Sequence, residues 1–216
     1  ARKVTTIPPG TQLDLWEREA HVPASPLPRL LFVGGDFSRK GGDLLLDVYR
    51  HQFAHRCLLD IVTGTPPRGT PEGVTVHQGV TANSAALRRL FMLADAFVLP
   101  TRADCLPLVL MEAMAAGLPV ITTDVAALGE AVCHGENGYL VPPNDGYALS
   151  EALNRFVLSP RLRAQMGRAS RAIAEKRFDA RTNGRRLISV LKACADRRRG
   201  LSAERRRGCA PTTESS

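Results

Sequence analysis

Apolar residues arrive in short, nearly continuous runs that stop at glycine or proline. Arg29-Leu30-Leu31-Phe32-Val33 runs into Gly34-Gly35, and Cys57–Thr63 stops at Gly64. Val74–His77 ends before Gly79, Ala96–Leu99 ends at Pro100, Val120–Thr123 stands alone, and Gly138–Val141 precedes Pro142-Pro143. Runs of this length without in/out alternation predict strands buried on both faces, as in a parallel sheet. Between them the apolar spacing turns helical at Asp43–Tyr49 and Ser84–Leu93, at Pro107–Ala116 with Gly117 as a stop signal, and at Ala127–Cys133. Helices are also predicted over 146–158, 160–177 and 180–196, with Pro160 separating the first two. The alternation predicts an α/β fold with a doubly wound parallel sheet. At the front, Val4–Gly10 predicts a short strand running into a Pro/Gly turn, and 11–28 reads as linker. The expected organisation is therefore a connecting segment at 1–28, one α/β domain at 29–196, and a basic disordered tail at 197–216. In such sheets ligands lie beyond the carboxyl ends of the strands, which directs attention to the loops 34–42, 64–70, 79–83, 100–107 and 124–130.

Composition narrows the class. The chain has 216 residues, 44% of them hydrophobic and 23% charged, the profile of a globular protein. It contains no apolar run long enough for a membrane-spanning helix, and Ala1-Arg2-Lys3-Val4 lacks the apolar core of a secretory signal. Half of the net charge of +8 falls in residues 192–216, so the basic balance is largely a property of the tail. A solvated terminus is the plain expectation, and contact with an anionic membrane or nucleic acid is the alternative. With only 5% aromatics and no stacking pattern, nucleic acid is disfavoured as a partner. The five cysteines are scattered without zinc spacing. They read as reduced thiols of a cytoplasmic protein, with Cys57 and Cys133 as small core residues. The histidines, including His77 and His134, read as solvent-facing.

Two places carry candidate chemistry. Gly34-Gly35-Asp36-Phe37-Ser38-Arg39-Lys40-Gly41-Gly42 joins a strand to a helix. Glycines there let backbone approach an anion, free amides at a helix start favour negative charge, and Arg39 and Lys40 add two cations. This pattern predicts a diphosphate site, although a basic surface turn with a glycine cap fits equally. It matches neither G-x-G-x-x-G nor the Walker pattern. The second place is the pair Asp104 and Glu112, eight residues apart. Glu112 stands among Leu108, Val109, Leu110, Met111, Ala113 and Met114, so its carboxylate is expected to be buried and to need a partner. Ribose hydroxyls would serve, and so would a helix-cap or salt-bridge role.

The run Ala94–Pro100, continued by Asp104-Cys105-Leu106-Pro107-Leu108-Val109-Leu110-Met111-Glu112 and Ala113–Ile121, resembles the C-terminal domain of glycosyltransferase family 4. These are retaining enzymes of the GT-B fold, in which two Rossmann-like domains face across a cleft. Arg39-Lys40-Gly41-Gly42 stands at the family's Lys-Gly phosphate element. Glu130-Ala131-Val132, Asn137–Pro143 and the connection Ile7-Pro8-Pro9-Gly10 extend the likeness over about residues 4–190. The resemblance implies a nucleoside-diphosphate sugar as substrate, with no cofactor and no metal. Lys40, with Gly34, Gly35 and Arg39, would hold the donor diphosphate. Glu112 would hold the ribose and Asp104 the donor sugar, making Asp104, Glu112 and Lys40 the catalytic set. Backbone at Cys105, Leu106, Leu108 and Val109 would cradle sugar and phosphate oxygens, and Gly64 and Val80 would flank the base.

Two departures from the family pattern stand out. The first acid is Asp104 rather than a glutamate, one methylene shorter. Gly34-Gly35 replaces the frequent Gly-Arg, and Arg39 would then supply the cation. A GT-B enzyme also needs an N-terminal, acceptor-binding domain that this chain does not contain, so the expectation is donor binding without transfer, in the cytoplasm or peripherally at the inner membrane. A GT-B nucleotide-sugar epimerase and a non-catalytic nucleotide-binding module are the alternatives.

Overall fold

The computed structural model of the chain describes residues 4–16 and 25–207, with side chains as far as residue 196. Its centre is a single sheet of β1 (Arg29–Val33), β2 (Leu58–Val62), β3 (Val74–His77), β4 (Ala96–Leu99), β5 (Val120–Thr123) and β6 (Gly138–Val141). The strand order is β3-β2-β1-β4-β5-β6 and all pairs are parallel. This is the doubly wound order whose ligand crevice opens between the first and fourth strands, where the chain leaves to opposite sides. Residues of β4 and β5 are buried throughout, which is why β4 reads as an unbroken apolar run, while in β5 the hydroxyls of Thr122 and Thr123 are satisfied by the carbonyls of Leu99 and Thr101.

The helices are α1 (Gly42–Gln52), α2 (Ala85–Leu93), α3 (Leu108–Ala115), α4 (Leu128–Ala131), α5 (Gly146–Leu158), α6 (Pro160–Arg177) and α7 (Ala180–Arg207). Their starts carry local signals. Ser84 accepts from Leu87 N–H, Asp145 from Ala148 N–H at 2.9 Å, and Ser159 from Leu162 N–H with Pro160 as the first helical residue. Caps of this kind contribute about 1 kcal/mol each. α3 has apolar residues all round and is buried from Leu110 to Ala115, so its position is fixed by packing on both sides.

Several expectations are revised. Val4–Gly10 does not join the sheet. Pro8 and Pro9 remove the donors that a ladder would need, and the segment instead ends in an isolated bridge of Thr11 with Asp179. Thr11 N–H donates to Phe178 O at 2.9 Å, and Ala180 N–H donates to Thr11 O at 3.0 Å. Within the stretch read as linker, Leu13–Trp16 forms a 3-10 turn. Trp16 is fully buried there, donating from Nε1 to Thr11 Oγ1 at 2.9 Å and meeting Phe91 edge-on at 5.1 Å. α7 runs past residue 196 to Arg207, and residues 208–216 of the expected tail lie outside the described residues. Cys57 is buried as expected, but Cys133 is exposed, because α4 stops at Ala131 and leaves it in the following turn. His77 is not a free surface group: its Nε2 lies 2.7 Å from Asp60, which also accepts from Arg29 at 2.7 Å. Asp60 is buried in β2, so its charge needs both neighbours.

Candidate functional site

The loops 34–41 and 100–107 follow β1 and β4, the two central strands, and therefore meet at the crevice. The first loop is tightly determined. Phe37 folds inward to pack edge-on against Phe32, with ring centroids 5.7 Å apart, and occupies the space where a Gly42 side chain would be. Gly41 has φ of 75° and lies so close to Pro100 that a Cβ would overlap the Pro100 carbonyl oxygen. Only glycine meets both conditions. Gly34 lacks a side chain where the stem of Lys40 passes, while Gly35 faces open space. Gly35 O accepts from Gly64 N–H at 3.2 Å and from the hydroxyls of Thr63 and Thr65 at 3.3 Å each, which ties in the loop after β2. Val80, beyond β3, is half-buried against the core on the same edge of the sheet.

This geometry brings Lys40 onto Asp104 as an ion pair between the two loops, with side chains only 12% and 13% exposed. Sequence separation hides the contact, since the partners are 64 positions apart. Arg39 is placed differently from the expectation. Its guanidinium donates to Ala103 O at 2.9 Å and lies 3.4 Å from Asp36, so it links the loops rather than projecting as a free cation.

Arg102 is a contributor that the motif reasoning missed. One guanidinium nitrogen donates to Ser38 O and, at 2.6 Å, to Asp43, while Nε donates to Asn144 Oδ1 at 2.7 Å. Arg102 thus joins three loops beyond β1, β4 and β6. The Asp43 carboxyl is held below its ordinary value: burial pushes it up, and the hydrogen bonds and charge of Arg102, with the Leu44 N–H, outweigh that. Nothing periodic marks a side chain that bridges loops. Its only sequence signal is its place in a strand-end loop of a doubly wound sheet.

The two helix starts at the crevice differ. At α1, Gly42 N–H donates to Phe37 O at 2.8 Å and Leu44 N–H to the Asp43 side chain at 2.9 Å. The expected free amides are therefore partly consumed. At α3 no side chain caps the helix. Among the described residues the N–H groups of Leu106, Leu108 and Val109 have no partner, so the positive end of α3 is open to an anion. Cys105 is exposed beside them.

Glu112 lies one helical turn beyond Leu108. The residue is 7% exposed, and its carboxylate makes no hydrogen bond or ion pair among the described residues, its oxygens being open to solvent rather than sealed in. Desolvation pushes its carboxyl up to about 7. An acid buried beside an open helix start, with no protein group to satisfy it, is poised to accept hydroxyl donors from a ligand.

The glycosyl transferases group 1 family matches residues 27–158, which include every residue just described. The chain belongs to this family. Among curated relatives of this group 1 domain, the D-inositol 3-phosphate glycosyltransferase of Streptomyces scabiei is 31% identical over 201 residues, covering 80% of this chain and 45% of the relative. The solved sucrose-phosphate synthase of Thermosynechococcus elongatus superposes with a TM-score of 0.78 at 26% identity, over 88% of this chain and 52% of that one. Anabaena HepE in complex with UDP-glucose superposes with a TM-score of 0.72 at 19% identity, over 85% and 56% of the two chains, and so shares the fold. The chain spans about half the length of the curated relatives it matches. Among the described residues, no helix of the group 1 domain is long and apolar enough to cross a membrane.

Proposed function

We propose that this group 1 domain is the donor-binding half of a retaining glycosyltransferase and holds a nucleoside-diphosphate sugar at the β1/β4 crevice. The observation that carries the reading is Glu112, a buried residue whose carboxylate has no partner among the described residues, standing one turn behind the open N-terminus of α3, the helix that follows the loop carrying Asp104. Glu112 accepts the ribose hydroxyls. Leu108 and Val109 amides, with Lys40, face the diphosphate, and Asp104 faces the sugar. The UDP-glucose bound to HepE, on the same fold, supports a uridine nucleotide as the first to try.

In this reading Lys40 changes partners. Asp104 holds it in the free protein, and the diphosphate takes it over, releasing Asp104 toward sugar hydroxyls. As the anomeric bond breaks, negative charge grows on the leaving diphosphate. A lysine and helix amides fixed beforehand stabilise that charge without reorganising. The shorter reach of Asp104 is matched by its contact with Lys40, which holds it at the mouth of the crevice. The acceptor is a sugar, a lipid or a small molecule bound by a further domain, and the protein works in the cytoplasm or peripherally at the membrane.

The test is calorimetric titration of the chain with UDP-glucose, GDP-mannose and ADP-glucose. One of the three is expected to bind, with Lys40→Ala weakening it roughly 10- to 100-fold. Absence of binding to all three, or binding indifferent to both Lys40→Ala and Glu112→Gln, would overturn the reading.

A further inference from the structure

On the outer edge of the sheet, away from the β1/β4 crevice, β6 and α5 line an open groove of about 310 Å³. Its α5 wall carries Tyr147, Glu151 and Arg155 at successive turns, with Ala148 and Ala152 as a small-residue floor between them. At about 1.5 Å per residue, Tyr147 to Arg155 spans about 12 Å. The β6 wall brings Tyr139, with His134 packed edge-on against its ring and also lining the groove.

Three features of this groove are unusual for a structural surface. Tyr147 is a large ring that is 79% exposed at the mouth of the groove. Tyr139 is only 8% exposed, clasped by His134 at 5.4 Å, Phe156 at 5.3 Å and the Arg155 guanidinium at 5.6 Å, yet its hydroxyl has no hydrogen-bond partner among the described residues. No fully buried side-chain oxygen lacks a partner among the described residues, so this hydroxyl opens to solvent at the groove, where a ligand can reach it. Glu151 and Arg155 stand at the spacing that usually forms a helix ion pair, but no such pair forms among the described residues. Arg155 lies over Tyr139 instead, which leaves the Glu151 carboxylate open.

We infer that this groove is a binding subsite for a neutral oligosaccharide. The chemistry selects that class. An exposed tyrosine ring offers a flat apolar face for the C–H side of a pyranose. The open carboxylate accepts hydroxyl protons, the guanidinium donates to hydroxyl oxygens, and the Tyr139 hydroxyl does either. Glu151 and Arg155 cancel in charge, so neither phosphate nor an anionic lipid headgroup is favoured. The polar groups along the wall disfavour an apolar peptide. The span suits about two linked pyranose rings. The inference does not rest on the donor-site reading and survives if nucleotide binding fails.

The experiment is ligand-observed saturation-transfer NMR on the full chain with maltotriose, cellobiose and laminaritriose at millimolar concentration. At least one is expected to bind, with the transferred signal undiminished by UDP-glucose. Tyr147→Ala, an exposed position whose change should leave the melting temperature unmoved, is expected to weaken binding about tenfold. Tyr139→Phe keeps the ring and removes only the hydroxyl, and should weaken it less. The inference is overturned if none of the three saccharides binds, if binding is competed by UDP-glucose, or if it survives Tyr147→Ala unchanged.

Discussion

Glu112 is where local chemistry and stability pull in opposite directions. Burial raises its carboxyl from the ordinary 4.5 to about 7, so between those two values the folded chain holds a proton that the unfolded chain releases. Stability from this group is therefore fully present below about pH 4.5 and is lost as pH rises through about 7. Glu112→Gln removes the charge while keeping the shape. It should raise the melting temperature at pH 8, with the gain shrinking toward pH 5, and thermal melts across that range check the sign. The same substitution is expected to weaken sugar-nucleotide binding, because an amide accepts through one oxygen where a carboxylate offers two. A variant that gains stability and loses ligand would mark Glu112 as retained for function rather than folding. Gly41 behaves differently. Its φ of 75° and its closeness to the Pro100 carbonyl make Gly41→Ala a clash with backbone that cannot rotate away. The expected result is a drop of several degrees in melting temperature together with loss of nucleotide affinity, measured on the same preparation.

At the scale of elements, the crevice depends on loops held together by arginines. Arg102 reaches Ser38, Asp43 and Asn144 at once, and Arg39 reaches Ala103. Arg102→Ala should lower stability by about 1–3 kcal/mol, since it leaves Asp43 and a loop carbonyl without a charged donor. It should also weaken nucleotide binding although Arg102 is not placed against the ligand. Arg102→Lys should not restore either property, because an ammonium gathers its donors on one nitrogen, whereas Arg102 meets its acceptors from two separated nitrogens, Nε and one Nη. Denaturant unfolding and calorimetry on both variants decide this. Such contacts explain what the sequence does and does not disclose. The central strands β1 and β4 are legible from Leu30-Leu31-Phe32 and Ala96–Leu99, because burial on both faces leaves an unbroken apolar run, while β2 carries Asp60 and the half-buried edge strand β3 is marked by its β-branched residues. Lys40, Asp104 and Glu112 are legible as positions through loop placement and motif. Their relations are not: the Lys40–Asp104 pair and the Arg102 clamp link residues far apart in the chain, and pairing across loops has no period. Cys133 and Val4–Gly10 depart from expectation for a related reason. Apolar character alone sets neither burial nor pairing: Cys133 falls two residues past its helix and is exposed, and the prolines keep Val4–Gly10 out of the ladder.

Over the whole molecule, charge and chemistry separate. α7 carries ten arginines and lysines against Asp196 and Glu204, a balance equal to the net +8 of the entire chain. The rest, which contains the crevice, is neutral on balance. Any non-specific retention on duplex DNA or heparin should therefore follow α7, and removing residues 197–216 should sharply reduce it while leaving nucleotide affinity intact. The crevice itself is one-sided. Its groups come from the carboxyl ends of parallel strands, and they supply the diphosphate, ribose and sugar contacts of the proposed reading. The chain spans about half the length of the curated relatives it matches, and in the proposed reading the acceptor is held by a further domain. Rate acceleration requires the acceptor oxygen to be fixed near the anomeric carbon, which can account for several orders of magnitude. In the proposed reading, a sugar held by this chain alone lacks that arrangement. The chain of 216 residues is accordingly expected to bind a sugar nucleotide and transfer nothing, with release of free nucleoside diphosphate no faster than spontaneous hydrolysis. A coupled assay for nucleoside diphosphate, run with and without simple sugars and inositol phosphates as acceptors, measures this. Turnover that Lys40→Ala abolishes would show that one half of the cleft suffices.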